Sequence, residues 1–160
     1  MLVESSMRGS IQTMKLCLVC SHGGHLTQMI MLIPAFEGYD CFFVTYRSPR
    51  TEDLGARERV YLLRDLGTNL WLRTLSFLQA FRILLKERPD VIISTGAALA
   101  IPFSWVGQLF GAQVVFIESW SRIWNHSGTG PLVYPVADLF LVQWPELLAE
   151  YGPKARYEGG

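Results

Sequence analysis

Short apolar runs alternate with longer helical patterns along this chain, and that alternation constrains its fold more than any other feature. The runs read KLCLVC (15–20), CFFVTY (41–46), RVYLL (59–63), DVIIST (90–95), QVVFIE (113–118) and DLFLVQ (138–143). They are near-continuous, as strands buried on both faces of a parallel sheet must be. Between them lie helical candidates at 25–34, 69–87, 97–110, 130–136 and 145–151. Strand and helix in this order predict an α/β fold built on a doubly wound parallel sheet. At 160 residues the chain is one domain's worth. Residues 1–14 read as a loose leader and 15–160 as a single domain, with no internal repeat and no Pro/Gly/Ser-rich linker dividing it.

Charge excludes one class of partner. Fourteen basic and fourteen acidic residues leave a formal net charge of zero, so the basic footprint of a nucleic-acid binder is missing. Cys17, Cys20 and Cys41 all sit inside apolar runs. An odd number so placed makes no disulfide framework and points to a reducing cytoplasm. The opening MLVESSMRGSIQTMK has a polar middle and reads as neither signal peptide nor anchor. Cys17, Cys20, His22 and His25 have finger-like spacing, but strand residues 17 and 20 point to opposite faces, which defeats chelation. No metal site is therefore expected.

In a doubly wound sheet, ligands bind beyond the carboxyl ends of the strands, so the informative residues follow each run. The most polar stretch, RSPRTEDLGARE (47–58), reads as a loop across that end. After the first run, SHGGHL carries Ser21, Gly23, Gly24 and His25. Its glycines let a ligand approach the backbone, and the helix that follows offers free N–H groups to an anion. It is neither a dinucleotide fingerprint nor a P-loop, because G-x-G-x-x-G and G-K-[ST] are both absent. After the fourth run, Ser94, Thr95 and Gly96 make a small donor-rich turn, suited to a sugar hydroxyl or phosphate, or else a simple helix cap. Glu118 ends the fifth run, where a carboxylate is costly unless paired or used. Trp120, Arg122 and His126 follow it, which fits polar ligand recognition or a buried pair with Arg122. Gln143 and Trp144 follow the sixth run, with Pro145 opening a helix.

The order of SHGGH, STG, IES-x-SR, TGPLVYPVAD and VQWPEL closely resembles the acceptor-side subunit of two-part glycosyltransferases. That family includes the eukaryotic membrane-anchoring subunit that helps add the second N-acetylglucosamine to dolichol-linked oligosaccharide. It also includes bacterial relatives in exopolysaccharide and capsule synthesis, and the GGH turn is similar to that of the lipid II-forming N-acetylglucosaminyltransferase, a GT-B enzyme. The resemblance implies a Rossmann-like domain forming the N-terminal half of a GT-B fold, completed by a separate UDP-sugar-binding subunit and inactive alone. It implies direct, inverting displacement without metal or cofactor, with His25 or Glu118 as the base. Ser21, Gly23, Gly24, Ser94, Thr95, Gly96, Arg122, Thr129 and Gly130 would contact a polyprenyl-pyrophosphate-linked sugar acceptor, with His126 a lower-ranked candidate.

Such an acceptor brings the chain to a bilayer, yet nothing approaches the roughly 20 apolar residues of a spanning helix. The run AALAIPFSWVGQLFGA is interrupted by Pro102 and reads as a buried helix. In NLWLRTLSFLQAFRILLKER (69–88), one face collects Leu70, Phe77, Leu78, Phe81, Leu84 and Leu85, enough to pack on the sheet. The rest of the wheel holds Leu72, Arg73, Leu75, Arg82, Ile83 and Lys86. That mixture fits either an in-plane contact with anionic lipid or burial on two sides. The expected location is peripheral, on the cytoplasmic face of the inner or plasma membrane. Two other functions compete: a self-sufficient Rossmann-type sugar-nucleotide enzyme, and a recruiter that contributes no side chain to chemistry.

Overall fold

A computed structural model describes residues 13–65 and 70–159, with the side chains of residues 70–73 outside the description. The expected leader thus lies almost wholly beyond the described residues, as do the side chains of Leu72 and Arg73. The chain runs β1 (Lys15–Val19), α1 (Gly24–Leu32), β2 (Asp40–Tyr46), α2 (Pro49–Gly55), β3 (Val60–Leu63) and α3 (Leu70–Glu87). It continues through β4 (Val91–Ser94), α4 (Ala100–Leu109), β5 (Gln113–Ile117), α5 (Gly130–Val133), β6 (Leu139–Leu141), α6 (Leu147–Tyr151) and β7 (Ala155–Arg156). Short 3-10 turns at Ile33–Phe36 and Tyr134–Val136 extend α1 and α5.

All strands pair in parallel in the order β3-β2-β1-β4-β5-β6-β7. The order reverses between β1 and β4, which opens a crevice at their carboxyl ends. The expected doubly wound α/β sheet is therefore present.

Both sheet faces are covered. Cys17, Val19, Phe42, Val44, Ile92 and Phe103 pack on one side, and Leu16, Leu18, Cys20, Leu26, Met29 and Phe43 on the other. Cys17 and Cys20 fall on opposite faces, as strand alternation demands. Burial pushes the Cys17 thiol well up and that of Cys20 to about 12. A third cluster beneath β5, β6 and α5 centres on the stacked Phe116 and Phe140 rings, 4.9 Å apart.

Three expectations are corrected. Part of the polar stretch 47–58 is helix α2, not loop. Its start is a capping box: Ser48 Oγ accepts from the Thr51 amide, while Thr51 Oγ1 accepts from the Ser48 amide and Pro49 takes the first turn. Threonine in place of the usual Glu or Gln, and the lack of an apolar stripe, hid this helix. Strand β7 was not anticipated, because two residues carry too little pattern.

The third correction concerns α3, whose expected sheet face holds, among the described side chains, only at Leu84. Ala80, Ile83 and Leu84 are buried in the core, while Leu75, Phe77, Leu78, Phe81 and Leu85 are all exposed. Ile83 is therefore a core residue, not a membrane contact. Small Ala80 and β-branched Ile83 allow the helix to lie close on the sheet, so the bulkier arc is left outside.

Candidate functional site

The crevice at the strand reversal is built from the β1–α1 and β4–α4 turns. Gly23 holds a φ of 80° at the entrance to α1, a backbone conformation that suits glycine. No side chain caps this helix, so its first N–H groups are offered to the crevice. His25, in the first turn of α1, reaches across to the β4 loop. Its Nδ1 lies 2.7 Å from the Thr95 carbonyl oxygen, and the Thr95 hydroxyl donates back to the His25 carbonyl at 2.9 Å.

A carbonyl oxygen only accepts, so Nδ1 carries a proton in this pair, and Nε2 is the ring nitrogen left to accept one. Gly96 makes this contact possible. A β-carbon there would sit 2.9 Å from His25 Cε1, and its φ of 113° already disfavours a side chain. Ala97 follows with φ 73°, an uncommon conformation for a non-glycine residue. Ser94 is wholly buried and its Oγ accepts from the Gly96 amide, so it shapes the turn from within. Ser21, nearly buried, donates to the His22 carbonyl at 3.2 Å.

Glu118 is placed differently. It is fully buried, and both carboxylate oxygens are occupied. Oε1 accepts from the Ser119 amide at 2.8 Å; Oε2 accepts from the Ser127 amide, the Ser127 hydroxyl and the Tyr151 hydroxyl. Burial and the Glu118 carboxylate both push the Tyr151 phenol well up, so it remains a donor. A side chain on Gly130 would collide with that hydroxyl. Gly130 is thereby fixed as part of this hub, and its amide donates to Ser127 Oγ. Gln28 joins the two halves of the site, donating from Nε2 to the Glu118 carbonyl at 3.2 Å.

The residues singled out from sequence therefore divide. Gly23, Gly24, His25, Thr95 and Gly96 come together at the crevice, supported by Ser21 and Ser94. Glu118 and Gly130 belong to the buried hub beside it, and Thr129 is the half-buried residue before α5. Arg122 is exposed, with no side-chain partner among the described residues. His126 leans on Ser127 O and lies 3.6 Å from Glu150, away from the His25 pair. Sequence reasoning missed Gln28, Ser127 and Tyr151. Only Gln28 left a signal, as a polar side chain on the buried face of an apolar helix.

A family model described as "Oligosaccharide biosynthesis protein Alg14 like" matches residues 64–160. The UDP-N-acetylglucosamine transferase subunit ALG14 of Yarrowia lipolytica is 32% identical over 90 residues, covering 52% of this chain and 41% of that protein. Its counterpart in Mus musculus is 21% identical over 183 residues, covering 92% and 83%. This chain thus spans about two fifths of the yeast relative's length. Among solved structures, Acinetobacter baumannii MurG superposes with a TM-score of 0.73 at 14% identity, over 91% of this chain and 45% of that one. The UDP-N-acetylglucosamine 2-epimerase of Rickettsia bellii gives 0.73 at 13% identity, over 92% and 45%. These likenesses establish the fold: a Rossmann-like sheet corresponding to about half of a GT-B chain.

Proposed function

The chain belongs to the Alg14-like family of oligosaccharide-biosynthesis proteins, and from that premise we propose that it is the acceptor-side half of a two-component inverting glycosyltransferase. It would build lipid-linked oligosaccharide or polysaccharide, with a separate subunit holding the UDP-sugar. The observation that carries this reading is the His25 Nδ1 contact with the Thr95 carbonyl, which leaves Nε2 as a base at the strand reversal. There it can take the proton of an acceptor hydroxyl as that oxygen attacks the anomeric carbon and UDP departs. Glu118 is buried and both of its oxygens are hydrogen-bonded within the chain, which supports His25 as the base and Glu118 as its support. The uncapped start of α1 suits the acceptor's pyrophosphate.

The acceptor's lipid requires a bilayer nearby. Among the described residues no helix is long and apolar enough to cross a membrane. The exposed arc of α3 offers another mode. Phe77, Leu78, Phe81 and Leu85 are joined to α4 by the Phe81–Phe110 ring contact at 5.2 Å. Arg82 and Lys86 are exposed beside them, and Glu87, the only acidic residue of α3, is buried. Apolar side chains edged by cations alone suit the surface of an anionic bilayer. We place the chain as a peripheral protein on the cytoplasmic face.

The test is transfer from UDP-N-acetylglucosamine and other UDP-sugars to a polyprenyl-pyrophosphate-linked sugar, by the chain alone and by the chain with its partner subunit. Activity is expected only in the pair. Activity of the chain alone defeats the divided-enzyme reading, and full activity of a His25→Gln pair makes the chain a recruiter.

A further inference from the structure

The loop between β5 and α5, residues 119–129, is held from outside itself. At its start the Trp144 indole N–H donates to the Trp120 carbonyl at 2.7 Å. At its end the Ser127 amide and hydroxyl are fixed on Glu118 Oε2, and the same oxygen accepts from Tyr151. Beside these, His126 Nε2 lies 3.6 Å from Glu150. Trp144, Glu150 and Tyr151 all belong to the segment that follows β6, so that segment clamps the loop at both ends. Between the clamps the loop presents Arg122, without a side-chain partner among the described residues, and Trp124, which is 70% exposed. A loop so tied has little freedom left to lose on binding, which favours affinity.

We propose that Tyr151 and Trp144 are positioning residues for the acceptor: through Glu118 and the Trp120 carbonyl they hold the 119–129 loop so that Arg122 and Trp124 meet its pyrophosphate and first sugar. A planar guanidinium fork fits pyrophosphate oxygens in pairs, and a rigid indole offers a flat apolar face to a sugar ring. This inference rests on the acceptor-half reading above. Neither aromatic residue touches the acceptor.

The experiment uses the full chain and short-chain polyprenyl-pyrophosphoryl N-acetylglucosamine as probe, comparing wild type with Tyr151→Phe and Trp144→Phe. Tyr151→Phe keeps the ring packed against Phe140, 4.5 Å away, and deletes one of three donors to Oε2. Affinity for the probe is expected to fall about three- to tenfold, the lower range for losing one buried hydrogen bond. Hydrogen exchange at the Ser127 amide should quicken while the thermal midpoint stays near wild type. In the partner-completed enzyme the acceptor KM rises and kcat holds. Unchanged exchange overturns the clamp, and quickened exchange with unchanged affinity, or a loss confined to kcat, overturns its link to the acceptor. A wild-type chain that fails to bind the probe sinks the acceptor-half reading itself, and this inference with it.

Discussion

The two ends of the sheet treat charge in opposite ways. At the amino end of the strands, Lys15, Asp40, Arg59 and Glu87 close on one another. Lys15 Nζ lies 3.3 Å from Glu87 Oε2, Arg59 Nη2 2.8 Å from Asp40 Oδ1, and Tyr61 donates to Glu87 Oε1 at 2.5 Å. At the carboxyl end, His25 keeps one ring nitrogen open, the Arg122 side chain has no partner among the described residues, and helix α1 starts uncapped. The difference teaches where to look for chemistry: groups satisfied within the chain maintain the fold, and groups left unsatisfied await something else. Glu118 is the instructive exception, since it lies at the carboxyl end yet is as fully satisfied as anything at the other.

Substitutions can sharpen or break this contrast. The largest effect is expected at His25. In the partner-completed enzyme, His25→Gln lowers kcat by about 10²- to 10⁴-fold, the usual contribution of a general base, with little change in the melting temperature. Arg59→Ala, at the opposite end, should leave kcat near wild type. Comparable losses of kcat in both would erase the distinction. Next comes Glu118→Ala, which strands four donors in the interior and should cost about 3 kcal/mol or more of unfolding free energy in urea titrations. A variant that folds with wild-type stability would return Glu118 to the list of catalytic candidates.

A smaller effect concerns acid. Burial pushes the Glu87 carboxyl up, but the hydrogen bonds from Tyr61 and Lys15 and the charges of Arg59 and Lys15 outweigh it and hold it below the ordinary 4.5. The folded chain therefore binds this proton more weakly than the unfolded chain. Its contribution to stability is complete above about pH 4.5 and is lost as pH falls through the folded value. Thermal melts across that range should show a steeper decline for wild type than for Glu87→Gln. The smallest expected change is a gain. Arg88 ends α3 with φ 48°, a position where glycine relieves the strain, so Arg88→Gly should raise stability by about 0.5–1 kcal/mol. A loss there would mean that the arginine side chain contributes more than its backbone costs.

How much of this was legible in the sequence follows from the physics of each element. Strands buried on both faces have to be apolar throughout, so the six longer ones stood out, whereas two-residue β7 had no pattern to show. Helix α2 is polar on nearly every side and is defined by its cap, which periodicity does not detect. Most of the sheet face of α3 was misassigned, Leu84 excepted, because an apolar count rewards bulk, while close packing on a sheet rewards small and branched side chains. At the site, the glycines and His25 were readable because turn chemistry is local. The hub around Glu118 was not, because its donors come from Ser127 and from Tyr151, 33 positions away. Nothing in a single sequence announces a partner so distant.

The thiols of Cys17 and Cys20, one in each layer beneath the sheet, are both kept protonated by burial. An alkylating reagent reacts with thiolate, so in the native chain each can be labelled only when its own layer opens. Their labelling rates therefore amount to two clocks set three residues apart, in β1 and just beyond it, timing the breathing of the front and the back of the domain separately, without an added probe.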